Sequence, residues 1–279
     1  MSSNKKLTLS IVIPVFNEED YLEDCLISIS KQSVRPDQVI VVDNNSTDLT
    51  TKIAQKFPFV TLLHEQKQHQ SFAQKTGFDH ANSHILGRID GDTILPKDWV
   101  RDVKNIFKTD SSLLAITGLP DPYDVSTKGV AVAIFMFYHN LASRLAGSQM
   151  LWGANSAISK KAWNMISHKV LQRPDIWEDY DIALLLNDKK KIKYVDNLYV
   201  NCSFRSIHKS LFKQIEWHLR AVRTFYLRKP KIRALLFAFC WSTLIIVYPL
   251  VLVDSLILRI NFYVRYRQRK AIEAPAPSE

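Results

Sequence analysis

The chain has 279 residues, 47% hydrophobic and 23% charged, an ordinary globular composition with room for one large core and an appendage. Three widely spaced cysteines, Cys25, Cys202 and Cys240, argue against a disulfide framework or a zinc site and fit a reducing compartment. The net charge of +10 sits entirely in residues 201–279, where 14 Lys and Arg face 4 Asp and Glu, so an anionic surface is expected near the C-terminal segment.

Met1 to Leu9 is polar and basic and runs straight into a strand pattern, without the apolar core of a secretory signal. Leu7 to Val15 reads as a buried strand ending near Pro14. Tyr21, Leu22, Cys25, Leu26 and Ile29 then keep helical spacing. Val39 to Val42 is a second strand, closed by the polar run Asp43 to Asp48 and a helix reaching about Phe57. Phe59 to Leu63 is a third strand, Ser71 to Asn82 a helix, and Ile85 to Ile89 a fourth strand that delivers Asp90 and Asp92 on either side of Gly91. Strands alternating with helices predict an α/β fold, a mainly parallel sheet with helices on both faces.

Ligands of such sheets bind beyond the carboxyl ends of the strands. Asn17, Glu18, Asp43, Asp90 and Asp92 all follow strands, although polar residues there also serve as helix caps. Two carboxylates spaced as Asp90 and Asp92 can share Mg²⁺ or Mn²⁺, and a solvated turn would carry the same pattern.

Residues 113–118 form a further strand, and Gly129 to Leu145 is an apolar stretch interrupted by His139, Asn140 and Arg144, too polar to span a bilayer. Trp177-Glu178-Asp179-Tyr180-Asp181 opens a helix whose acids suit the helix dipole and could equally point a carboxylate into a cleft. From Lys209 a basic amphipathic pattern begins, and Ala234 to Val253 gives 20 residues without a charge. That length can cross a bilayer, while Pro249 and Asp254 leave a re-entrant anchor open. Seven basic residues before this segment and five after it favour a catalytic part on the cytoplasmic side of the membrane.

Four ordered motifs carry a resemblance: Ile11 to Glu19 (IVIPVFNEE), Val41 to Asp48 (VVDNNSTD), Arg88 to Thr93 (RIDGDT) and Glu178 to Asp181 (EDYD). Together they resemble the family 2 glycosyltransferases of GT-A fold, over roughly Leu7 to Val200. The resemblance implies inverting transfer of a sugar from a nucleotide donor, commonly UDP-linked, with Mg²⁺ or Mn²⁺. It implies donor contacts at Pro14, Asn17, Glu18, Asp43, Asp90 and Asp92, with Asp92 and Asp90 as metal ligands and Asp43 toward the nucleobase. Asp179 would be the general base, with Glu178 orienting the acceptor or the helix and Asp181 as the fallback. Trp152, Gly153, Asn155 and Trp177 would meet the acceptor, and His208 could reach the metal.

Two positions depart from the family pattern. Gln74 stands where relatives carry an arginine that could meet a phosphate, so that either Lys75 takes its place or the donor is held differently, and Asn44 replaces a common acid, which leaves the donor base open. The expected organisation is a catalytic domain over 1–206, a basic membrane-surface helix over 207–233, a transmembrane or re-entrant anchor over 234–258, and a basic then disordered tail over 259–279. The expected acceptor is a lipid-linked glycan or glycolipid at the membrane face. Polyprenyl phosphate, or a catalytically silent nucleotide-sugar-binding scaffold, are the alternatives. Membrane lipids are the expected surface partner, and nucleic acid is not, because the basic residues flank an apolar segment instead of forming an aromatic-interleaved patch.

Overall fold

The structure is a computed structural model in which residues 6–125, 128–186, 191–205, 211–240 and 242 are described. Seven strands, Leu9–Val15 (β1), Gln38–Asp43 (β2), Val60–His64 (β3), Ile85–Arg88 (β4), Ala115–Pro122 (β5), Ser156–Ser159 (β6) and Ile192–Cys202 (β7), make one sheet in the order β3-β2-β1-β4-β6-β5-β7. β1 is parallel to β2 and β4, β2 to β3, and β5 to β7. The exception is β6, antiparallel to both β4 and β5. Its first residue, Ser156, pairs with Arg88 at the end of β4, so the chain enters at the carboxyl edge and has to run back. That entry brings Trp152 and Gly153 beside the Asp-Gly-Asp turn, which local periodicity could not announce.

The helices are Leu22–Ser30 (α1), Thr50–Gln55 (α2), Gln70–His80 (α3), Trp99–Thr109 (α4), Lys128–Ala146 (α5), Lys160–Ile166 (α6), Glu178–Leu186 (α7), Leu211–Arg228 (α8) and residues 231–240 (α9). Period-two alternation sends Leu9, Ile11, Ile13 and Val15 of β1 to a core shared with α1, α2 and α4. Val12 goes instead to the core shared with α3, α5, α6, α7 and α8. With both faces covered, β1 has no polar alternation, as a central parallel strand requires.

The basic amphipathic stretch expected as one helix over 207–233 is two helices where it is described. α8 stops at Arg228, and Pro230, which lacks an N–H and has its φ pre-set for a first turn, starts α9 by accepting from the Arg233 and Ala234 amides. α8 packs on the second core through Ala221 and Phe225, and Phe225 stacks on Phe237 of α9 with centroids 4.1 Å apart. Among the described residues no helix is long and apolar enough to cross a membrane. The segment expected to anchor the chain, 234–258, lies outside the described residues beyond Cys240, apart from Ser242, as does the tail.

Candidate active site

The chain places β1, β2 and β3 successively to one side and then begins again with β4 on the other side of β1, so the connections diverge between β1 and β4. A crevice at the carboxyl ends of these two strands is the physical result. A cavity of about 720 Å³ opens there, lined by Pro14 of β1, Phe16 and Glu18 after it, Asp90, Gly91 and Asp92 after β4, and Ser203, Phe204 and Arg205 after β7.

The Asp-Gly-Asp turn is held from several sides. The Thr93 amide donates to the Asp90 carbonyl, Tyr123 Oη donates to the Asp92 carbonyl at 3.0 Å, and Ile94 exchanges backbone hydrogen bonds with Asn201. The Asp92 carboxyl is buried, and desolvation together with the neighbouring Asp90 charge pushes it up to about 8. Burial likewise raises Glu18, against the pull of Arg205. The Arg205 guanidinium grips both Glu18 oxygens, at 2.5 and 2.7 Å, lies 3.2 Å from Asp92 Oδ2, and rests over the Tyr21 ring at 4.5 Å.

Beneath Asp90 lies a residue outside the expected site set. Arg88, only 2% exposed, is 2.9 Å from Asp90 Oδ1, 3.4 Å from Glu178 Oε1 and 3.5 Å from Asp179 Oδ2. One guanidinium thus ties the metal-motif aspartate to the expected base and its neighbour. Three carboxylates around one cation leave excess negative charge. Glu178 is pushed up to about 8 by burial and by Asp179, and Asp179 is raised by burial against the pull of Arg88. The Gly153 amide and the Gln74 side chain hydrogen bond to Asp179. Gln74 therefore meets the expected base, where an arginine in its place would face the same carboxylate. A signal for Arg88 was present: it is a charge in a four-residue strand that is otherwise apolar and buried throughout.

The far part of the cavity is aromatic. Phe135 packs against Trp152 (5.3 Å) and stacks on His139 (5.6 Å), while Trp177 packs against Tyr180 and Trp217 at 4.8 and 4.5 Å. The imidazoles here, His69, His139 and His218, are held down to about 4 by burial and are neutral at pH 7. α8 supplies Trp217, His218 and Arg220 to this wall, so the helix expected at a membrane surface also shapes the cavity.

Several expected residues lie elsewhere. Asp43 is 3% exposed and outside the lining, with His64 Nδ1 at 3.1 Å and the Ser46 amide donating to it. Its neighbour Asn44 lines the cavity and organises the 65–69 loop through Glu65, Lys67 and His69. Asn17, at φ 55°, accepts from the Thr47 amide. Lys75 pairs with Asp79 along its own helix and is outside the cavity lining. Asn155 is fully buried, donating to the Leu119 and Leu198 carbonyls and accepting from Trp99 Nε1, a structural amide instead of an acceptor contact. Asp181 binds Arg228 at 2.6 Å and clamps α8 to α7, away from the cavity. Pro14, Glu18, Asp90, Asp92, Trp152 and Trp177 do line it. His208 lies outside the described residues, and among those described no group of three or more His, Cys, Asp or Glu forms a metal cluster.

The sheet order and the carboxylates at its divergence define a GT-A-like α/β protein. The mannosyltransferase PcManGT from Pyrobaculum calidifontis, solved with GDP-Man and Mn²⁺, has a similar fold, with TM-score 0.63 and 18% identity over 91% of this chain and 74% of that one. So does glucosyl-3-phosphoglycerate synthase from Mycobacterium tuberculosis, solved with Mn²⁺ and UDP, with TM-score 0.59 and 17% identity over 80% of this chain and 81% of that one. The glycosyl transferase family 2 model matches residues 10–165, more than half of the chain, and the chain belongs to that family. Glycosyltransferase AglE of Haloferax volcanii is 32% identical over 114 residues, 38% of each chain. Chondroitin synthase of Escherichia coli is 23% identical over 77% of this chain, which spans only 32% of the synthase.

Proposed function

We propose that the protein is an inverting glycosyltransferase moving a sugar from a nucleotide donor, UDP-linked in the first instance, to a hydroxyl of a lipid-linked glycan or glycolipid at a membrane face. The observation that carries the reading is the Arg88 bridge, which joins Asp90, in the cavity lining, to Asp179, which lies just behind that lining. Solved neighbours carrying GDP-Man or UDP support a nucleotide-sugar donor.

Asp92 and Asp90 fit a divalent cation: they are hard oxygen donors at a partly buried turn, and their excess negative charge favours a cation beside them. Mg²⁺ or Mn²⁺ held there would supply charge stabilisation for a departing nucleoside diphosphate. Asp179 takes the acceptor hydroxyl's proton, and its raised pKa makes it a better base than an exposed aspartate. Gln74, Arg88 and the Gly153 amide fix the direction in which that carboxylate points. Trp152 and Trp177 offer flat apolar faces to the acceptor. The membrane assignment is supported by α9, which buries Ala234 and Phe237 and exposes Ile232, Leu235, Leu236 and Phe239 at i, i+3, i+4 and i+7.

The test is nucleoside diphosphate release from a panel of nucleotide sugars, with membrane lipid extract as acceptor and the anomeric configuration of the product read by NMR. Inversion is expected, and Asp179→Asn lowers kcat by about 10²- to 10⁴-fold. Full activity in Asp179→Asn would favour an acceptor that is already ionised, such as polyprenyl phosphate. No release with any donor, despite nucleotide binding, would favour the silent scaffold.

A further inference from the structure

We propose that Arg205 is an internal counter-cation, held by Glu18, that competes with a divalent ion for Asp92, so that the ion has to displace it from that carboxylate to bind. The inference rests on the metal-assisted reading above. Glu18, Asp90 and Asp92 bring three carboxylates to the donor end of the cavity. Arg88 is committed to Asp90, Glu178 and Asp179. Among the described residues, Arg205 is the cation paired with both Glu18 and Asp92.

The geometry separates the side chain from its support. Asp124 accepts from Ser203 Oγ and from the Phe204 amide, and Ser203 Oγ accepts from the Arg205 amide, so the backbone of this segment is fixed without the guanidinium. The side chain itself is 36% exposed and lies on the Tyr21 ring. It can therefore leave the carboxylates without opening a core. A guanidinium anchored on both oxygens of Glu18 and lying 3.2 Å from Asp92 Oδ2 occupies a lone pair of Asp92 that a hard cation would also need. Metal affinity in the absence of donor is lowered by whatever Arg205 contributes there.

The experiment titrates Mn²⁺ into the full chain without donor, following free Mn²⁺ by electron paramagnetic resonance. Arg205→Gln is expected to bind Mn²⁺ about tenfold more tightly than wild type, a change of about 1.4 kcal/mol. Tyr21→Leu, which removes the platform under the guanidinium and leaves every carboxylate in place, shifts affinity the same way by a smaller factor. Asp92→Asn removes the binding. Equal or weaker Mn²⁺ affinity in Arg205→Gln overturns the competition, and it leaves the metal-assisted reading intact if wild-type binding still depends on Asp92. Absence of Mn²⁺ binding in both wild type and Arg205→Gln overturns both.

Discussion

Gly153 packs its Cα directly against the Arg88 guanidinium, so close that a Cβ there would overlap Arg88 Nη1 and Asp179 Oδ2. Arg88 cannot give way, since it is buried and holds three carboxylates. Gly153→Ala is expected to destabilise the fold by about 1–3 kcal/mol, as overpacking does, and to lower turnover at the same time because the carboxylates move with the arginine. Thermal melting and initial rates check this. Wild-type turnover at an unchanged melting temperature would mean that the contact is not tight.

Glu178 gives a pH dependence with a definite sign. Its carboxyl is pushed up to about 8 by burial and by the Asp179 charge, against about 4.5 in an unfolded chain. The folded state therefore holds a proton that the unfolded state has lost, and the associated stability is complete below about 4.5 and is lost as pH rises toward about 8. Glu178→Gln cannot ionise, so its melting temperature relative to wild type should climb across that window in metal-free buffer. Taking the difference between the two proteins cancels His69, His139 and His218, whose lowered values cost stability as pH falls below 6.5. A flat difference would show that Glu178 is ionised in the folded protein throughout.

Much of this arrangement was legible from the order of residues because the carboxylates are local features of strand ends. Glu18 follows β1 and Asp90 and Asp92 follow β4, and the alternation of strands and helices fixes where such ends meet. What escaped depends on distance in the chain. Arg88 meets Glu178 and Asp179 about 90 residues on, and Arg205 reaches Glu18 across 187 positions, so no spacing rule could pair them. Antiparallel β6 escaped because Ser156-Ala-Ile-Ser is too short to carry a period. Motif position alone singles out Lys75 and Asn155, and what it does not show is the helix-local aspartate and the buried backbone carbonyls that they bind. Composition alone does not show that α8, beyond residue 206, supplies Trp217 to the cavity and pairs Arg228 with Asp181.

The exposed face of α9 predicts its own surroundings. A spin label or fluorophore at Leu235 or Phe239, both exposed, should be quenched by doxyl lipids when the full chain is reconstituted in anionic vesicles. The same label at Lys56, exposed next to Glu23 on the other core, should not be. Equal quenching at both places, or none at either, would remove the membrane from the proposed acceptor side.

Metal-assisted transfer is tested most directly by nucleoside diphosphate release from a donor panel, with and without Mn²⁺ or Mg²⁺, in wild type and Asp92→Asn. Release from one donor that requires the metal and disappears in Asp92→Asn is the expected result. Release that proceeds at the same rate in chelator, or in Asp92→Asn, would contradict a role for the Asp90 and Asp92 turn in stabilising the leaving group.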